Sequence, residues 1–410
     1  MSVAVVGAGL AGLAAAIEAS ASGEAVTLFD AREHPGGRAR TRDESGFLVN
    51  EGAHALYIDG AANQFLRSLD LEPAGGQPDT AGGIGIDGTG VGPMPSALGS
   101  LLRTPLLKGD RRRLLMLFAR LSRLDVSAYA GRSVAETMHG LLGEGSASRL
   151  GHALVRLSTY GNDPEFASGD AGIRQLQLAL SSGVRYVDGG WQTITNSLLA
   201  LAADRGVILQ TGAKIDASAL DELRGGYRAV VIAAGGPKVA ATLLGESVAA
   251  SAGCSRAARP ATVASLDIGL AAPWGAAPPF ALGIDEPLYL SVHGPVARLA
   301  PAGHTLVHVS RYQHPDELDN PERDRERCES FIGRVRPGWR DDATHVRFQR
   351  RLVAATDQPS VRGGGVAGRP SVTVPGEPGL FVAGDWVGGE GLLADASVAS
   401  GRRAGSMAAG

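Results

Sequence analysis

The chain has 410 residues, more than an average single domain, and this length predicts about two or three domains. Hydrophobic residues make up 44% and charged residues 20% of the sequence, which is typical of a globular protein with a hydrophobic core. The formal net charge is −3, so the charge balance gives no general attraction to nucleic acid, and we expect no nucleic-acid partner.

The two cysteines, Cys254 and Cys328, belong to no Cys-x-x-Cys pair. We therefore expect no metal site, and we interpret both cysteines as buried free thiols in preference to a disulfide. The low cysteine count favours a reducing, cytoplasmic location. No uninterrupted apolar run reaches the roughly 18 residues that a membrane-spanning helix needs.

The N-terminal segment predicts a strand, a glycine-rich turn, a helix and a second strand, at residues 3–6, 7–9, 10–22 and 25–29. The turn begins a Gly-x-Gly-x-x-Gly spacing formed by Gly7, Gly9 and Gly12, and Asp30 follows the second strand. In dinucleotide-binding units the first glycine permits a tight turn and the second lets the backbone approach the pyrophosphate. The third lets the helix pack closely on the strand, and the acidic residue binds a ribose. The free N–H groups at the start of the helix also favour phosphate.

The same glycine spacing occurs twice more, at residues 83–88 and 363–368, so the spacing alone is weak evidence. We interpret residues 83–88 as part of a glycine-rich loop with no strand before it and no helix after it. Residues 363–368 lead directly into Arg369 and Pro370. The N-terminal copy is preceded by a strand and followed by a helix, and we therefore interpret it as the phosphate-binding copy.

Beyond this unit the predicted elements alternate less regularly. A strand is predicted at residues 46–50 and a loop at residues 72–95. Residues 97–124 are largely helical, with breaks near Pro105 and Gly109. The other predicted elements are helices at 134–142, 172–180, 192–204, 321–335 and 394–407, and strands at 207–210, 227–234, 263–270, 288–292, 304–311 and 380–383.

Three separated blocks of the sequence resemble the superfamily of flavin-dependent amine oxidases and phytoene desaturases. The first block has Asp30, then Gly36-Gly37-Arg38, then Gly46-Phe47 and Asn50-Glu51-Gly52-Ala53-His54, where Asn50 replaces a frequent aspartate. The second has Lys214-Ile215 and Ala233-Ala234-Gly235, and the third has Gly384-Asp385 after a strand and before a helix.

This resemblance implies a non-covalently bound FAD, since no cysteine follows Cys328 to carry a covalent link. It implies that Arg38 contacts the pyrophosphate and that Lys214 and Ile215 lie at the adenine. Asp385 would bind a ribityl or pyrophosphate oxygen. The helix starting near Leu393 would direct its positive end at the flavin N1–C2=O edge, where a reduced flavin carries negative charge. The cofactor-binding residues implied are Gly7, Gly9, Leu10, Ala11, Gly12, Asp30, Ala31, Arg32, Gly36, Gly37, Arg38, Gly52, Ala53, His54, Lys214, Ile215, Ala234, Gly235, Gly384, Asp385, Leu392, Leu393 and Ala394.

Within the superfamily, the phytoene desaturase and hydroxysqualene dehydroxylase branch is the more similar one, through Gly384-Asp385-Trp386 and Tyr160-Gly161-Asn162-Asp163-Pro164. Residues 391–395 lack the aromatic residue of amine oxidases, and the three lysines, Lys108, Lys214 and Lys238, are poorly placed for the lysine that those enzymes use near N5. The resemblance implies hydride transfer between flavin N5 and a small apolar, isoprenoid-type substrate.

The residue pattern contains no catalytic dyad that would indicate a chemistry other than flavin-dependent hydride transfer. Candidates near the flavin are His54, Tyr160, Tyr186, Trp191 and Trp386, for each of which a structural or core role is the alternative interpretation. An amine or amino-acid oxidase, a redox-neutral flavin isomerase and a non-enzymatic prenyl-binding relative stay open as alternatives.

We therefore expect an α/β chain, α+β overall, in which a discontinuous Rossmann-like FAD-binding domain carries an inserted substrate domain of mixed sheet and helices. The FAD-binding domain is predicted at residues 1–55, 187–240 and 370–410, the helical part of the substrate domain at 56–186 and its sheet part at 241–369. Residues 97–124 are apolar and rich in arginine. This pattern fits either a solvated helix or peripheral contact with a membrane.

Overall fold

The computed structural model describes residues 2–80, 82–95, 98–107, 109–254, 258–294 and 296–410. Ala97 and Lys108 of the predicted basic helix lie outside these ranges. Within the described residues, no helix is both long enough and apolar enough to cross a membrane. Cys254 and Cys328 are both buried, and neither is joined to the other in a disulfide, as predicted.

The described part of the chain contains seventeen β-strands. They are β1 (Ser2–Val6), β2 (Ala25–Phe29), β3 (Thr41–Glu44), β4 (Phe47–Asn50), β5 (Leu56–Tyr57), β6 (Gly75–Gly76), β7 (Ile84–Asp87), β8 (Gly90–Pro93), β9 (Val184–Val187), β10 (Ile208–Gln210), β11 (Ala229–Ile232), β12 (Ala261–Leu270), β13 (Phe280–Gly283), β14 (Leu288–Val292), β15 (Thr305–Gln313), β16 (Ala343–Ala355) and β17 (Leu380–Val382).

The described part also contains fourteen α-helices, besides short 3₁₀ turns. They are α1 (Leu10–Ala21), α2 (Ala61–Ser68), α3 (Leu98–Arg103), α4 (Arg111–Arg120), α5 (Val134–Leu142), α6 (Ser146–Thr159), α7 (Gly169–Ser181), α8 (Gln192–Asp204), α9 (Ala217–Gly226), α10 (Pro237–Leu244), α11 (Glu246–Ser251), α12 (Pro321–Val335), α13 (Trp339–Asp342) and α14 (Leu393–Ala409).

The first layer is a five-stranded parallel sheet with the order β10-β2-β1-β11-β17. Its central strands, β1 and β11, are short apolar runs because helices cover both faces of a parallel sheet. The strands come from residues 2–29, 208–232 and 380–382, so the chain leaves this sheet and returns to it twice. This arrangement confirms the predicted Rossmann-like α/β unit.

Helices α1 and α14 pack closely against each other on this sheet. A Cβ atom added at Gly401 would lie 2.1 Å from the Ala11 carbonyl oxygen, and one at Gly405 would lie 2.2 Å from the Ala15 carbonyl oxygen. Only glycine fits at these two positions of α14. The contact places the middle of α14 beside the start of α1, so the N-terminus of α14 lies about two helical turns beyond the start of α1.

The second layer is a seven-stranded mixed sheet with the order β16-β12-β15-β14-β13-β7-β8. Its strands pair antiparallel except for the parallel pair of β13 and β7. Helix α12 packs on one face of this sheet through an apolar cluster. Helices α4 to α7 and parts of the sheet form another core on the opposite side.

Two local predictions were wrong. Residues 72–95 are not a loop, because β6, β7 and β8 lie in this range and β7 and β8 extend the mixed sheet. The glycine spacing at residues 83–88 therefore includes a strand. The strand predicted at 46–50 is confirmed as β4, which pairs with β3 in a two-stranded hairpin. Strand β16 was not predicted, because its exposed side has arginines.

Candidate functional site

One cavity of about 670 Å³ lies at the carboxyl ends of the parallel strands. Gly7, Asp30 and Ala233 line it, and they directly follow β1, β2 and β11. Ligands of open α/β sheets bind at this edge. The far wall includes Val263 of β12 and Leu352 of β16, so the cavity extends from the parallel sheet to the mixed sheet.

The glycine-rich turn has the geometry that its spacing predicts. Gly7 has a φ of +103°, and a Cβ there would lie 2.9 Å from the Ala233 carbonyl oxygen. A Cβ at Gly12 would lie 1.7 Å from the Gly7 carbonyl oxygen, so Gly12 allows α1 to start directly against the turn. A Cβ at Gly9 meets nothing within 4 Å, and Gly9 lines the cavity. A side chain at position 9 would therefore occupy space in the cavity.

Asp30 joins the end of β2 to the glycine-rich turn. Its Oδ2 accepts a hydrogen bond from the Ala8 N–H at 2.7 Å, and its Oδ1 accepts one from the Arg32 N–H at 2.8 Å. A carboxylate has about four acceptor positions, so each oxygen keeps capacity for a ribose hydroxyl. Asp30 shapes the turn as well as facing the cavity.

The Gly36-Gly37-Arg38 segment lies against the same turn. The Gly36 N–H donates to the Ala8 carbonyl at 2.9 Å, and a Cβ at Gly37 would contact the Cα of Gly9 at 3.5 Å. The Arg38 guanidinium donates from Nη1 to the Ala354 carbonyl at 2.9 Å and to Asp385 Oδ2 at 2.8 Å. Arg38 thus places a positive charge at the middle of the cavity.

Asp385 accepts a hydrogen bond from the Arg38 guanidinium and is not among the residues that line the cavity. Its Oδ2 also accepts from the Thr356 N–H at 2.8 Å, and its Oδ1 accepts from the Thr356 hydroxyl at 2.6 Å. Burial alone would raise the pKa of the Asp385 carboxyl, but the charge of Arg38 and the hydrogen bonds from Thr356 hold this pKa below its usual value. Asp385 is therefore an anion that positions other groups.

Aromatic and imidazole side chains line the other end of the cavity. The rings of His54 and Trp191 meet edge to face, with centroids 4.9 Å apart, and His54 Nδ1 lies 2.9 Å from the Gly52 carbonyl oxygen. Burial lowers the pKa of His54, and the contact with Gly52 opposes this shift only in part, so the imidazole is neutral near neutral pH. The Tyr160 hydroxyl donates to the Ala53 carbonyl at 2.6 Å, and burial raises its pKa well above the usual value.

Asn50 has a structural function beside this end. Its buried amide oxygen accepts hydrogen bonds from the Trp191 N–H at 3.0 Å and from the Thr41 hydroxyl at 2.7 Å. These bonds join β4, β3 and the start of α8. The donor is the backbone N–H of Trp191, so Asn50 holds the Trp191 main chain beside the cavity.

The N-terminus of α14 closes the cavity at this end. Leu393 begins the helix with a φ of +54°, and Leu393 and Ala394 both line the cavity. Asp395 in the first turn accepts a hydrogen bond from the Ala62 N–H at 2.8 Å and so caps α2. Burial raises the pKa of Asp395 to about 6, although the Ala62 N–H opposes this shift.

Most residues that the sequence placed at a cofactor do line this cavity, together with Tyr160 and Trp191. The exceptions are Gly12, Asp385 and Leu392 and, among the aromatic candidates, Tyr186 and Trp386. Trp386 is 1% exposed and belongs to the core of the parallel-sheet unit, where its ring packs so closely on Gly384 that a Cβ at that position would lie 2.7 Å from Trp386 Nε1. Sequence reasoning missed wall residues from the substrate side and the adenine side; these include Tyr57, Val239, Leu243, Val263, Leu352 and Thr356.

The cavity fits a dinucleotide. The open space at Gly9, the N-terminus of α1 and the charge of Arg38 suit a pyrophosphate, and Asp30 suits a ribose. Flat apolar walls at Trp191, with the helix N-terminus opposite, suit a planar ring. Within the described ranges, no group of three or more His, Cys, Asp or Glu side chains is arranged to hold a metal ion.

Comparison with known proteins supports this description. Residues 5–69 match a family model described as an NAD(P)-binding Rossmann-like domain. A hydroxyneurosporene desaturase from Cereibacter sphaeroides is 30% identical over 250 residues, which cover 52% of this chain and 50% of that protein. The chain thus spans half the length of this curated relative.

Solved structures extend the similarity to the whole fold. An oxidoreductase from Methanosarcina mazei has a TM-score of 0.75 and 18% identity, with 98% of this chain and 99% of that chain covered. A putrescine oxidase bound to putrescine has a TM-score of 0.71 and 13% identity, with 98% of each chain covered. The predicted resemblance to desaturases and amine oxidases is confirmed, in sequence over half of the chain and in fold over nearly all of it.

Proposed function

We propose that the chain is an FAD-dependent oxidoreductase that moves a hydride between a substrate carbon and flavin N5. The observation that supports this proposal best is the extent of the cavity described above. It runs from Asp30 and Lys214, past Gly9 and Arg38, to Trp191 and the start of α14. A cofactor with a nucleotide at one end and a planar ring at the other matches the order of these residues along the cavity.

FAD is preferred over a nicotinamide dinucleotide because the cavity is built from more than the Rossmann unit. The family-model match ends at residue 69, whereas Trp191, Thr356 and Leu393 also line the cavity. Residues from distant parts of the chain thus line both ends of the cavity. Contacts along its whole length suit a cofactor that stays bound through turnover better than one that exchanges each cycle.

The bound flavin would supply the hydride acceptor or donor, and this chain's residues would position it. Arg38, held by Asp385, would neutralise pyrophosphate charge. The N-terminus of α14 would stabilise negative charge at the N1–C2=O edge. The neutral His54 and the un-ionised Tyr160 would leave the space before the ring free of fixed charge.

For the substrate we propose a largely apolar, isoprenoid-type molecule. Similarity to a protein named hydroxyneurosporene desaturase supports this class. The walls beyond the ring position are Tyr57, Tyr160, Val263 and Leu352, none of which carries a charge near neutral pH. The carboxylates of Glu51 and Asp395 also line the cavity, so the amine panel described below tests whether a cation binds there instead.

The test is purification followed by an absorbance spectrum, then reconstitution with FAD. We expect the visible bands of oxidised flavin, and release of the flavin into the supernatant after denaturation, because the link is non-covalent. The protein is then incubated with a panel of primary and secondary amines while peroxide is followed. A colourless protein that takes up no FAD contradicts the cofactor, and robust amine turnover contradicts the substrate class.

We also propose that residues 97–124 contact anionic membrane surfaces. In α4, Leu114 and Leu117 are buried, while Arg112, Leu115 and Met116 share the exposed side of the helix. Sedimentation with vesicles containing phosphatidylserine, compared with neutral vesicles, tests this contact. Leu115→Ser combined with Met116→Ser should reduce binding to the anionic vesicles, and equal binding to both vesicle types contradicts the proposal.

A further inference from the structure

The first turn of α14 places a buried carboxyl group at the wall of the cavity. Asp395 is 3% exposed and lines the cavity together with Leu393 and Ala394. The space around it is tight, since a Cβ at Gly60 would lie 2.7 Å from the carboxyl carbon of Asp395, and a Cβ at Gly391 would lie 2.7 Å from the Asp395 Cβ. Glycine at both positions therefore gives this side chain its room.

The two carboxyl oxygens of Asp395 have different surroundings. Oδ1 accepts the hydrogen bond from the Ala62 N–H at 2.8 Å, whereas the buried Oδ2 has no hydrogen-bond partner in the described part of the chain. A buried polar atom without a partner destabilises a fold, and native proteins contain few of them. Capping of α2 therefore explains one oxygen and leaves the other available to hold a proton.

The groups around Asp395 bring its protonation close to neutral pH. Burial raises the pKa of Asp395 to about 6, the Ala62 N–H opposes this rise, and the negative charge of Glu390 in the preceding loop adds to it. Tyr57 of β5 also interacts with Asp395, and burial raises the pKa of its hydroxyl, so Tyr57 brings no charge. Near pH 7, Asp395 is mostly an anion, and one more negative charge nearby would raise its pKa further.

The proposed function puts such a charge at the same end of α14. Hydride transfer to a flavin leaves negative charge at the N1–C2=O edge, which the N-terminus of α14 would face. Asp395 belongs to the first turn of this helix, so its carboxylate would oppose the charge that the helix end stabilises. Two like charges at one site favour uptake of a proton by one of them.

We propose that Asp395 takes up a proton when the bound flavin is reduced and releases it when the flavin is oxidised. The hydride brings two electrons and one proton to the ring, and Asp395 accepts one further proton from solvent, so the net charge of the site stays the same. Oδ2 holds this proton, because Oδ1 keeps its hydrogen bond from Ala62. The inference rests on the proposed function and adds to it a residue that couples flavin reduction to pH.

The direction of the pH effect follows from the two pKa values of Asp395. Beside the oxidised flavin this pKa is about 6, and beside the reduced flavin it is higher. The additional proton is therefore taken up between the two values, as at pH 7. It disappears below about pH 5, where Asp395 is protonated in both states.

The test uses the protein reconstituted with FAD and reduced electrochemically, and it records the infrared difference between the reduced and oxidised forms. The variants are Asp395→Asn and the matched control Asp170→Asn, because Asp170 is a buried carboxyl group in the first turn of α7 that does not line the cavity. At pH 7 the carbonyl band of a protonated carboxylic acid should grow on reduction in the wild type and the control. It should be absent from Asp395→Asn, which should also take up about one proton fewer per flavin, measured with an indicator dye.

Each other outcome counts against the proposal. A wild type without this band, or an Asp395→Asn protein that keeps it, overturns the proposal. Lower proton uptake in Asp395→Asn without a wild-type band places the proton on the flavin and overturns it as well. A protein that binds no FAD contradicts the proposed function and this inference with it, whereas a flavin-bound protein without the band contradicts this inference alone.

A second variant keeps the test valid where Asp395→Asn does not fold, which circular dichroism checks. Glu390 is exposed, and its charge contributes to the raised pKa of Asp395. Glu390→Gln should therefore shift the pH range in which the band grows to lower pH. A range identical to that of the wild type overturns the proposal.

Discussion

The two sheets of this protein differ in whether the polar side chains beside them have hydrogen-bond partners. At the parallel sheet, the polar atoms of Asp30 and Asp385 all have partners, and the space at Gly9 is open. At the mixed sheet, His308 and Tyr312 are buried with unpaired atoms. The carboxylates at the parallel sheet are therefore held in fixed positions, whereas His308 and Tyr312 keep unused hydrogen-bonding capacity inside the mixed sheet.

The largest expected effect is a loss of FAD binding at the parallel sheet without a loss of folding. Gly9→Val should abolish FAD binding, because a valine side chain would fill the position of the pyrophosphate, yet it should fold, because nothing lies within 4 Å of that Cβ. Gly225→Val is the matched control, since position 225 is equally open and does not line the cavity. Flavin absorbance and circular dichroism check the two variants, and a yellow Gly9→Val protein contradicts the placement.

Asp385→Ala tests the group that holds Arg38. It leaves two Thr356 donors unpaired, while the freed Arg38 side chain is 41% exposed and stays partly solvated, so we expect a loss of about 1–3 kcal/mol in the free energy of unfolding. Urea denaturation measures this loss. A change below about 1 kcal/mol would indicate that the pair is effectively solvated.

The Asp395 carboxyl predicts a pH effect on stability. Its pKa in the folded chain is raised to about 6 from an ordinary 3.8, so the folded state holds this proton more tightly than the unfolded state. The contribution to stability is fully present below about pH 4 and is lost as the pH rises from about 4 to 6. Asp395→Asn keeps an acceptor for Ala62 and removes the charge. It should stabilise the protein at pH 7 by no more than about 3 kcal/mol, with little effect at pH 4. Urea denaturation at both pH values measures the difference, and equal effects at both contradict the assignment.

Asp30→Ala has the smallest expected effect, on cofactor affinity. It removes a charged acceptor without obstructing the cavity, so FAD binding should weaken by about 1–3 kcal/mol. Asp30→Asn keeps one acceptor oxygen and should lose less. Titration of the apoprotein with FAD measures both, and complete loss of binding in Asp30→Asn would mean that the carboxylate mainly supports the turn.

The glycine-rich turn could be located from the sequence because its signal is local. A buried strand, three spaced glycines, a helix and Asp30 lie within consecutive residues, and each follows from the backbone geometry of one βαβ unit. The segment containing Gly37 and Arg38 and the start of α14 could be added only through resemblance. No local rule brings Leu393 next to Gly9.

Other features could not be read from the sequence for physical reasons. The strands β7 and β8 are glycine-rich and short, so their sequence is typical of a loop. They are part of a sheet because β7 pairs with β13 and β8 pairs with β7. Trp386 was expected at the cofactor because it follows Gly384 and Asp385, but it packs in the core of the parallel-sheet unit, which segments distant in the chain build together.

The sequence by itself determined the Rossmann-like unit, the glycine-rich turn and the residues at the ends of β1 and β2, since short-range periodicity and glycine geometry specify them. Only the tertiary structure decided that Asp385 faces Arg38 and not the cavity, and that Asp267, His308 and Tyr312 share one buried face. Those positions depend on strand register between segments far apart in the chain, and register is set by packing of the whole sheet.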